Sequence, residues 1–221
     1  MKIILCAATK QELLPVIEHF NLNEKNYTKL GNHSVKLLIL GAGILSSAFH
    51  LQKQLHEDRS DVVMLAGIAG AINPTLKLAE VVFVDSEFLG DFGAEAPDDF
   101  LNAFELNFLS ENDFPFSNAA LKVNKIDGLL GFEKLKSVES ITVQKVHGSD
   151  ASIELMKKKF PTAEIENMEG AAVYYVSKMM HVDVIQIRSI SNYVEKRNRE
   201  AWDIPSAIKS LNDFIIQVFS F

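Results

Sequence analysis

The feature that most constrains this chain is a repeated alternation. Short apolar runs of strand length are followed, again and again, by segments with helical apolar spacing. The first run, Ile3-Ile4-Leu5-Cys6-Ala7-Ala8, carries no polar residue toward either face, which predicts a strand over 2–8 covered on both sides. Thr9 and Glu12 come next, then Leu13, Leu14, Val16, Ile17 and Phe20 at helical spacing, with Pro15 interrupting the first turn. The rhythm recurs as strand 35–41 and helix 46–57, strands 62–66 and 80–85, strand 141–146 and helix 151–160, strand 163–165 and helix 168–180. It closes with strand 184–190 and helix 204–219, where Pro205 suits the first turn. Segment 88–99 reads as a loop, 100–109 as helix, and 112–140 as short helical pieces among turns.

This alternation argues for an α/β fold with helices on both faces of a largely parallel or mixed sheet. No internal repeat, low-complexity tract or linker divides the sequence, so residues 1–221 are read as one domain. Hydrophobic residues at 48% are enough for a substantial core.

The charge balance narrows the function classes. With 22 Lys and Arg against 29 Asp and Glu, the chain carries a formal charge of -7 and no basic run, which argues against nucleic acid as a partner. Cys6 is the single cysteine and lies in an apolar run, so a buried, inert thiol is expected rather than a disulfide. The six histidines are scattered and no H-E-x-x-H appears; no metal and no cofactor is expected. The opening Met1-Lys2-Ile3-Ile4-Leu5 reaches the polar Thr9-Lys10-Gln11-Glu12 too soon for a signal peptide or a spanning helix. The expectation is a cytoplasmic protein with no membrane partner.

In α/β sheets the ligand crevice lies beyond the carboxyl ends of the strands, and three such ends carry polar residues. After the first strand, Thr9-x-x-Glu12 has capping-box spacing, so Glu12 either closes a helix start or faces the crevice. In Asn167-Met168-Glu169-Gly170-Ala171-Ala172, Glu169 falls in an opening helical turn, where free N–H groups favour a carboxylate. The small residues after it also permit close approach of a ligand, and Met168 offers an adaptable apolar contact suited to a sugar ring. The third end, Arg188-Ser189-Ile190-Ser191-Asn192-Tyr193, suits an Asx or Ser turn, or a site where the Asn192 carboxamide meets the edge of a neutral heterocycle. Gly41-Ala42-Gly43 and Gly67-Ile68-Ala69-Gly70 lack the G-x-G-x-x-G spacing of a dinucleotide site. They mark places where a ligand or another chain segment approaches the backbone.

Taken together these elements resemble the nucleoside phosphorylase and nucleosidase family, with the nearest likeness to futalosine hydrolases, relatives of the methylthioadenosine/S-adenosylhomocysteine nucleosidases. The residues that carry the likeness are Glu12, Gly41-Ala42-Gly43, Ala66-Gly67-Ile68-Ala69-Gly70 with Asn73-Pro74, Asn167-Met168-Glu169-Gly170-Ala171-Ala172, and Arg188-Ser189-Ile190-Ser191-Asn192. The resemblance implies a nucleoside phosphorylase-like three-layer fold, with a central mixed sheet and helices on both faces, and cleavage of a purine N-glycosidic bond, with a small nucleoside and water as partners and a homodimer or higher homo-oligomer as the assembly. It implies that Glu12 prepares the attacking water, that Glu169 binds the ribose hydroxyls, and that Met168 packs on the sugar. Ile68, Ala69, Gly70, Arg188 and Ser191 are implied as further substrate contacts.

Asn192 departs from the adenine-cleaving relatives, which carry Asp at the matching position. A carboxamide can donate to O6 of a 6-oxopurine and accept from a protonated N7, so hypoxanthine is expected over adenine. Futalosine, on a menaquinone route, is the implied substrate. Segments 41–48 and 66–73 contain no Arg, Lys or His, which favours water over phosphate as nucleophile. An adenine-type nucleosidase, a phosphorylase and a non-enzymatic nucleoside-binding domain remain the alternatives. Asn192 cannot act as an acid, and the sequence does not identify the source of the N7 proton. Lys196, Arg197 or Arg199 is a candidate to meet the carboxylate of a benzoate arm, with Phe88, Phe92 and Trp202 as aromatic walls and the 88–99 loop as a segment that crosses a subunit boundary.

Overall fold

Strand β1 (Lys2–Ala7) is buried at every position after its first, as an apolar run with no polar face requires. The structure is a computed structural model and describes residues 1–97, 99–123 and 131–220. After β1 come a 3-10 turn (Lys10–Leu13), α1 (Leu14–Phe20), β2 (Thr28–Leu30), β3 (His33–Ile39), α2 (Ile44–Glu57), β4 (Val62–Ala71) and β5 (Val81–Leu89). A hairpin of β6 (Gly93–Ala96) and β7 (Asp99–Asn102) follows, then β8 (Leu121–Lys122), β9 (Lys136–Thr142) and α3 (Asp150–Lys159). The chain ends through β10 (Ala163–Asn167), α4 (Gly170–Met179), β11 (Asp183–Tyr193) and α5 (Ile204–Phe219).

The main sheet runs β10-β9-β5-β11-β4-β1-β3-β2, and β10 also pairs with β4. That extra pairing closes β10, β9, β5, β11 and β4 into a ring, from which β1, β3 and β2 extend as an open wing. The sheet is mixed: β4 is parallel to β1 and β11, whereas β5 runs antiparallel to β11 and β10 antiparallel to β4. β4 serves both parts, since its first half lies in the wing and its second half in the ring.

Period-two alternation along the inner strands sends side chains to two helical layers. Ile3, Leu5, Met64, Ala66, Ile185 and Ile187 pack on α1 and α5, while Ile4, Cys6, Val63 and Leu65 pack on α2 and α4. In α5 the buried residues Ala207, Leu211, Ile215 and Phe219 recur every four positions, Asp203 caps the helix through Ser206 N–H at 3.1 Å, and Pro205 sits in the first turn. The ring is filled by Ala69, Ala71, Val82, Val84, Val138, Ile165 and Ile190. Cys6 is fully buried, and that burial pushes its thiol well above the ordinary range, so an inert thiol is what the fold holds.

The middle of the chain departs from its sequence pattern. Segment 88–99, read as a loop, continues β5 to Leu89 and contains β6 and the start of β7. Segment 100–109, read as helix, is strand to Asn102 and then turns. Asn102 Oδ1 accepts from the N–H groups of Phe104 and Glu105 at 3.0 and 2.9 Å, an Asx turn that outcompetes the helix. The strand expected at 141–146 begins earlier, at Lys136; beyond it Gln144 N–H and Lys145 N–H donate to the Asp91 carboxylate, at 2.6 and 3.2 Å, instead of to a neighbouring strand. Part of the 112–140 reading, residues 124–130, lies outside the described residues. Pro15 does not break α1: Lys10–Leu13 wind as a 3-10 turn and Pro15 opens the helix, where no N–H is required of it.

Tyr174 ties α4 to the ring. It is completely buried and its hydroxyl donates to the Val84 carbonyl at 2.6 Å. Tyr174→Phe keeps the packing but strands that carbonyl, so stability should drop by about 1–3 kcal/mol. A thermal or denaturant melt measures it.

Candidate functional site

The 3-10 turn after β1 divides the work of Glu12 between its two carboxylate oxygens. Oε2 accepts from the Thr9 N–H and hydroxyl, each at 2.9 Å, which is the capping-box role read from the sequence. Oε1 accepts from the Ile68 N–H of β4 at 3.2 Å. The turn is held from behind by Asn212 of α5, whose amide donates to the Glu12 carbonyl at 2.8 Å and whose Oδ1 accepts from Val16 N–H at 3.1 Å. A side chain at Gly67 would place its Cβ 2.7 Å from Glu12 Oε1 and 2.5 Å from Arg188 Nη1. Glycine is therefore the residue that lets these two groups meet over β4.

Glu169 closes the second strand end. It precedes α4 but does not cap that helix with its side chain. Its Oε1 accepts from Gly43 N–H at 3.1 Å, at the start of α2, and its Oε2 pairs with Arg188 Nη2 at 3.4 Å. Gly41 and Gly43 have φ of 79° and 82°, left-handed values that glycine adopts without strain. This turn is what aims the Gly43 N–H at the carboxylate.

Arg188 lies between these groups at 1% exposure. Its Nη2 also donates to Asn167 Oδ1 at 3.0 Å, and its Nη1 to the Ile68 carbonyl at 3.3 Å. A guanidinium thus reaches the glycine segment even though 66–73 contains no basic residue, because β11 supplies it from across the sheet. Both terminal nitrogens of Arg188 are engaged by protein groups, which ties it to Glu169 and β4, while its buried Nε has no partner among the described residues.

At the third end the β11 register slips between Ile190 and Asn192 opposite Ala69 and Gly70. Within this bulge Ser191 Oγ lies 3.3 Å from the Ala69 carbonyl and 2.8 Å from Asn192 Oδ1, while Asn192 Nδ2 donates to the Tyr193 carbonyl at 3.0 Å. Glu12 and Asn192 lie against Gly67-Ile68-Ala69-Gly70, and Glu169 is joined to the same segment through Arg188. Ile68, Met168 and Asn192 are half-buried, whereas Ala69, Gly70 and Ser191 are buried.

Beside Glu169 a cavity of about 480 Å³ is lined by Ile44, Leu89, Phe92, Phe116, Ala171 and Tyr175, among others. Neither Lys196, Arg197 nor Arg199 lines it. Arg197 and Arg199 stack on Trp202 instead, 5.6 and 5.8 Å from its ring centre, and Phe88 packs on Phe160. Of the three aromatic walls expected, Phe92 alone faces this cavity. Among the described residues no group of side chains has the makings of a metal site, and no helix is long and apolar enough to cross a membrane.

Two supports had no role in the sequence reading. Asn167 accepts from the N–H groups of Glu169 and Gly170 at 2.9 and 2.7 Å, and donates to Ser140 and to Glu87 Oε1, each at 2.8 Å. Glu87 is wholly buried; Thr142 Oγ1 also donates to its Oε1, at 2.7 Å, while Oε2 has no partner among the described residues. An acid inside the run Val81-Val82-Phe83-Val84-Asp85-Ser86-Glu87-Phe88-Leu89 is the signal that would have flagged it. Burial raises its pKa, outweighing the hydrogen bonds and the Arg188 charge that lower it. The fold therefore holds this proton more tightly than the unfolded chain does. The stability linked to Glu87 is complete below the ordinary carboxylate range and is lost as pH rises through the raised value. E87Q, neutral at every pH, should flatten that slope in melts recorded across pH; an undiminished slope would mean that Glu87 is ionised in the fold.

Comparison with known proteins agrees with this architecture. The phosphorylase superfamily pattern matches residues 2–218. A futalosine hydrolase from Acidothermus cellulolyticus is 30% identical over 179 residues, 79% of this chain and 71% of that one. A 5'-methylthioadenosine/S-adenosylhomocysteine nucleosidase from Maridesulfovibrio salexigens is 27% identical over 219 residues, 91% of this chain and 90% of that one. Among solved structures, the S-adenosylhomocysteine nucleosidase of Streptococcus pyogenes superposes with a TM-score of 0.82 at 18% identity, covering 100% of this chain and 96% of that one. With its ring-closed mixed sheet and a sequence match running almost end to end, this chain belongs to the phosphorylase superfamily.

Proposed function

We propose that the protein is a purine nucleosidase that hydrolyses the N-glycosidic bond of a 6-oxopurine nucleoside, futalosine, releasing hypoxanthine and dehypoxanthinyl futalosine for menaquinone biosynthesis. The observation that carries the reading is the gathering of two carboxylates and one carboxamide on one stretch of β4: Glu12 through the Ile68 N–H, Glu169 through Arg188, and Asn192 through the β11 bulge.

In this reading the glycosidic bond stretches first, so that the ribosyl group gains oxocarbenium character and the purine gains negative charge. Glu169 holds the 2′- and 3′-hydroxyls, and its charge favours the developing cation. Met168 packs on the sugar, while Ile68, Ala69 and Gly70 form the floor under the base. Water attacks from the face opposite the purine and gives its proton to Glu12, whose Oε1 is free of the cap. Asn192 donates to O6 of the leaving base, and Ser191 orients its carboxamide. The apolar cavity beside Glu169 has the size and lining to take an aromatic arm attached to the sugar.

A second reading, cleavage of an adenine nucleoside, has its own support. The Maridesulfovibrio nucleosidase aligns over more of this chain than the futalosine hydrolases do, and solved structures of nucleosidases of that type superpose on its full length. A nucleoside panel separates the two. The expected result is release of hypoxanthine from futalosine without added phosphate and much slower release of adenine from methylthioadenosine. Equal or faster adenine release would give the site to the second reading, and a phosphate requirement would make the protein a phosphorylase.

Glu12→Gln keeps an acceptor for the Thr9 N–H but removes the base. Turnover should fall by about 10²–10⁴-fold with little change in melting temperature. A lowered melting temperature with turnover intact would leave Glu12 as a cap alone.

For the assembly we propose a homodimer packed on the α2–α4 face. Leu45 is 85% and Phe49 63% exposed there, Tyr175 and Met179 are also exposed, and Tyr175 lines the cavity. Large apolar side chains clustered around a cavity mouth suit a second copy that covers them. Light scattering should give twice the chain mass, and L45D/F49D should give the single-chain mass with weakened substrate binding.

A further inference from the structure

Asn192 can steady a departing purine but has no proton to give it, and none of the residues so far placed at the base supplies one. The structure sets a histidine–carboxylate pair beside it. Glu166 of β10 is buried, and its carboxylate takes two polar groups of His147: the backbone N–H donates to Oε1 at 3.3 Å, and the ring Nδ1 lies 2.7 Å from Oε2. The His147 side chain is 14% exposed, and its Nε2 has no partner among the described residues. The pair belongs to the purine side of the site by two observations. A Cβ at Gly70 would lie 3.2 Å from Asn192 Nδ2 and 3.5 Å from Glu166 Cγ, so amide and acid share the space over one glycine. The segment that follows Asn192 is also fastened to the histidine loop, Arg197 N–H donating to the Gly148 carbonyl at 3.1 Å.

We propose that the His147–Glu166 pair is the proton source for the leaving purine, an assignment that rests on the nucleosidase reading above. A carboxylate at Nδ1 directs the ring, leaving Nε2–H to face a ligand. As the C1′–N9 bond breaks, its electron pair passes to the purine and N7 takes the proton from His147 Nε2. The water oxygen bonds to C1′ and its proton goes to Glu12. The products are a neutral base and a sugar hydroxyl; His147 is left neutral and Glu12 protonated, and exchange with solvent restores both.

The test is steady-state release of base from futalosine by the wild type, H147A, H147Q and E166Q, with a melt of each. H147A and H147Q should lose about 10²–10⁴-fold in kcat with KM within a few-fold of wild type, and added imidazole should restore part of the H147A turnover. E166Q, which still offers Nδ1 an acceptor, should lose less. Full kcat in the His147 variants, or a loss that imidazole leaves unrepaired and that tracks a lowered melting temperature, would overturn the assignment and leave the pair as a loop fastener. A wild type that releases base from neither 6-oxo- nor 6-aminopurine nucleosides would instead overturn the nucleosidase reading, and this assignment with it.

Discussion

The guanidinium of Arg188 is the constraint on which the site depends. A cation at 1% exposure needs partners that offset its charge, and the terminal nitrogens of this one meet a carbonyl of β4, an amide at the end of β10 and a carboxylate at the start of α4. Removing one partner of such a buried pair typically costs about 3–5 kcal/mol, so the three elements cannot slide independently. Asn167 extends the restraint. Its Oδ1 accepts from Arg188 and from the N–H groups of Glu169 and Gly170, which sets the direction in which α4 starts.

Ring closure explains why these residues can meet at all. β10 pairs with β4 at Ile165–Ala71 and Glu166–Gly70, a short ladder that nevertheless brings the end of β10 against the end of β4. β11, parallel to β4 over nearly its whole length, brings Arg188 and Asn192 to the same segment. The 3-10 turn after β1 approaches from the wing. The glycines of β4 follow from that crowding, because a Cβ at Gly67 would occupy the position of Glu12 and Arg188, and one at Gly70 the space beside Asn192 and Val194.

Much of this was legible in the sequence where the signal is local. The apolar runs of β1, β4 and β11 and the four-residue spacing of α5 declare themselves, because burial on both faces or on one stripe leaves a pattern in neighbouring residues. The Thr9–Glu12 spacing and the two glycine segments were readable for the same reason. The hairpin of β6 and β7 was not: its pairing and the Asx turn at Asn102 outweigh a helical spacing that looked adequate. Glu87 left a trace, an acid in an apolar run, but its partners Thr142 and Asn167 lie 55 and 80 residues away. His147 and Glu166 left none, since each is an unremarkable polar residue until the fold puts them 2.7 Å apart.

By itself, then, the sequence determined the α/β class, the strands that form the inner sheet and the polar residues that end them. These follow from hydrophobic periodicity and turn chemistry, which act over a few residues. Only the tertiary structure decided that the sheet closes on itself, that Arg188 reaches Glu169, Asn167 and the Ile68 carbonyl from across the sheet, and that one oxygen of Glu12 caps a turn while the other faces β4. Those outcomes depend on which groups share a desolvated volume, and a buried charge or carboxylate takes its role from partners that lie far away along the chain.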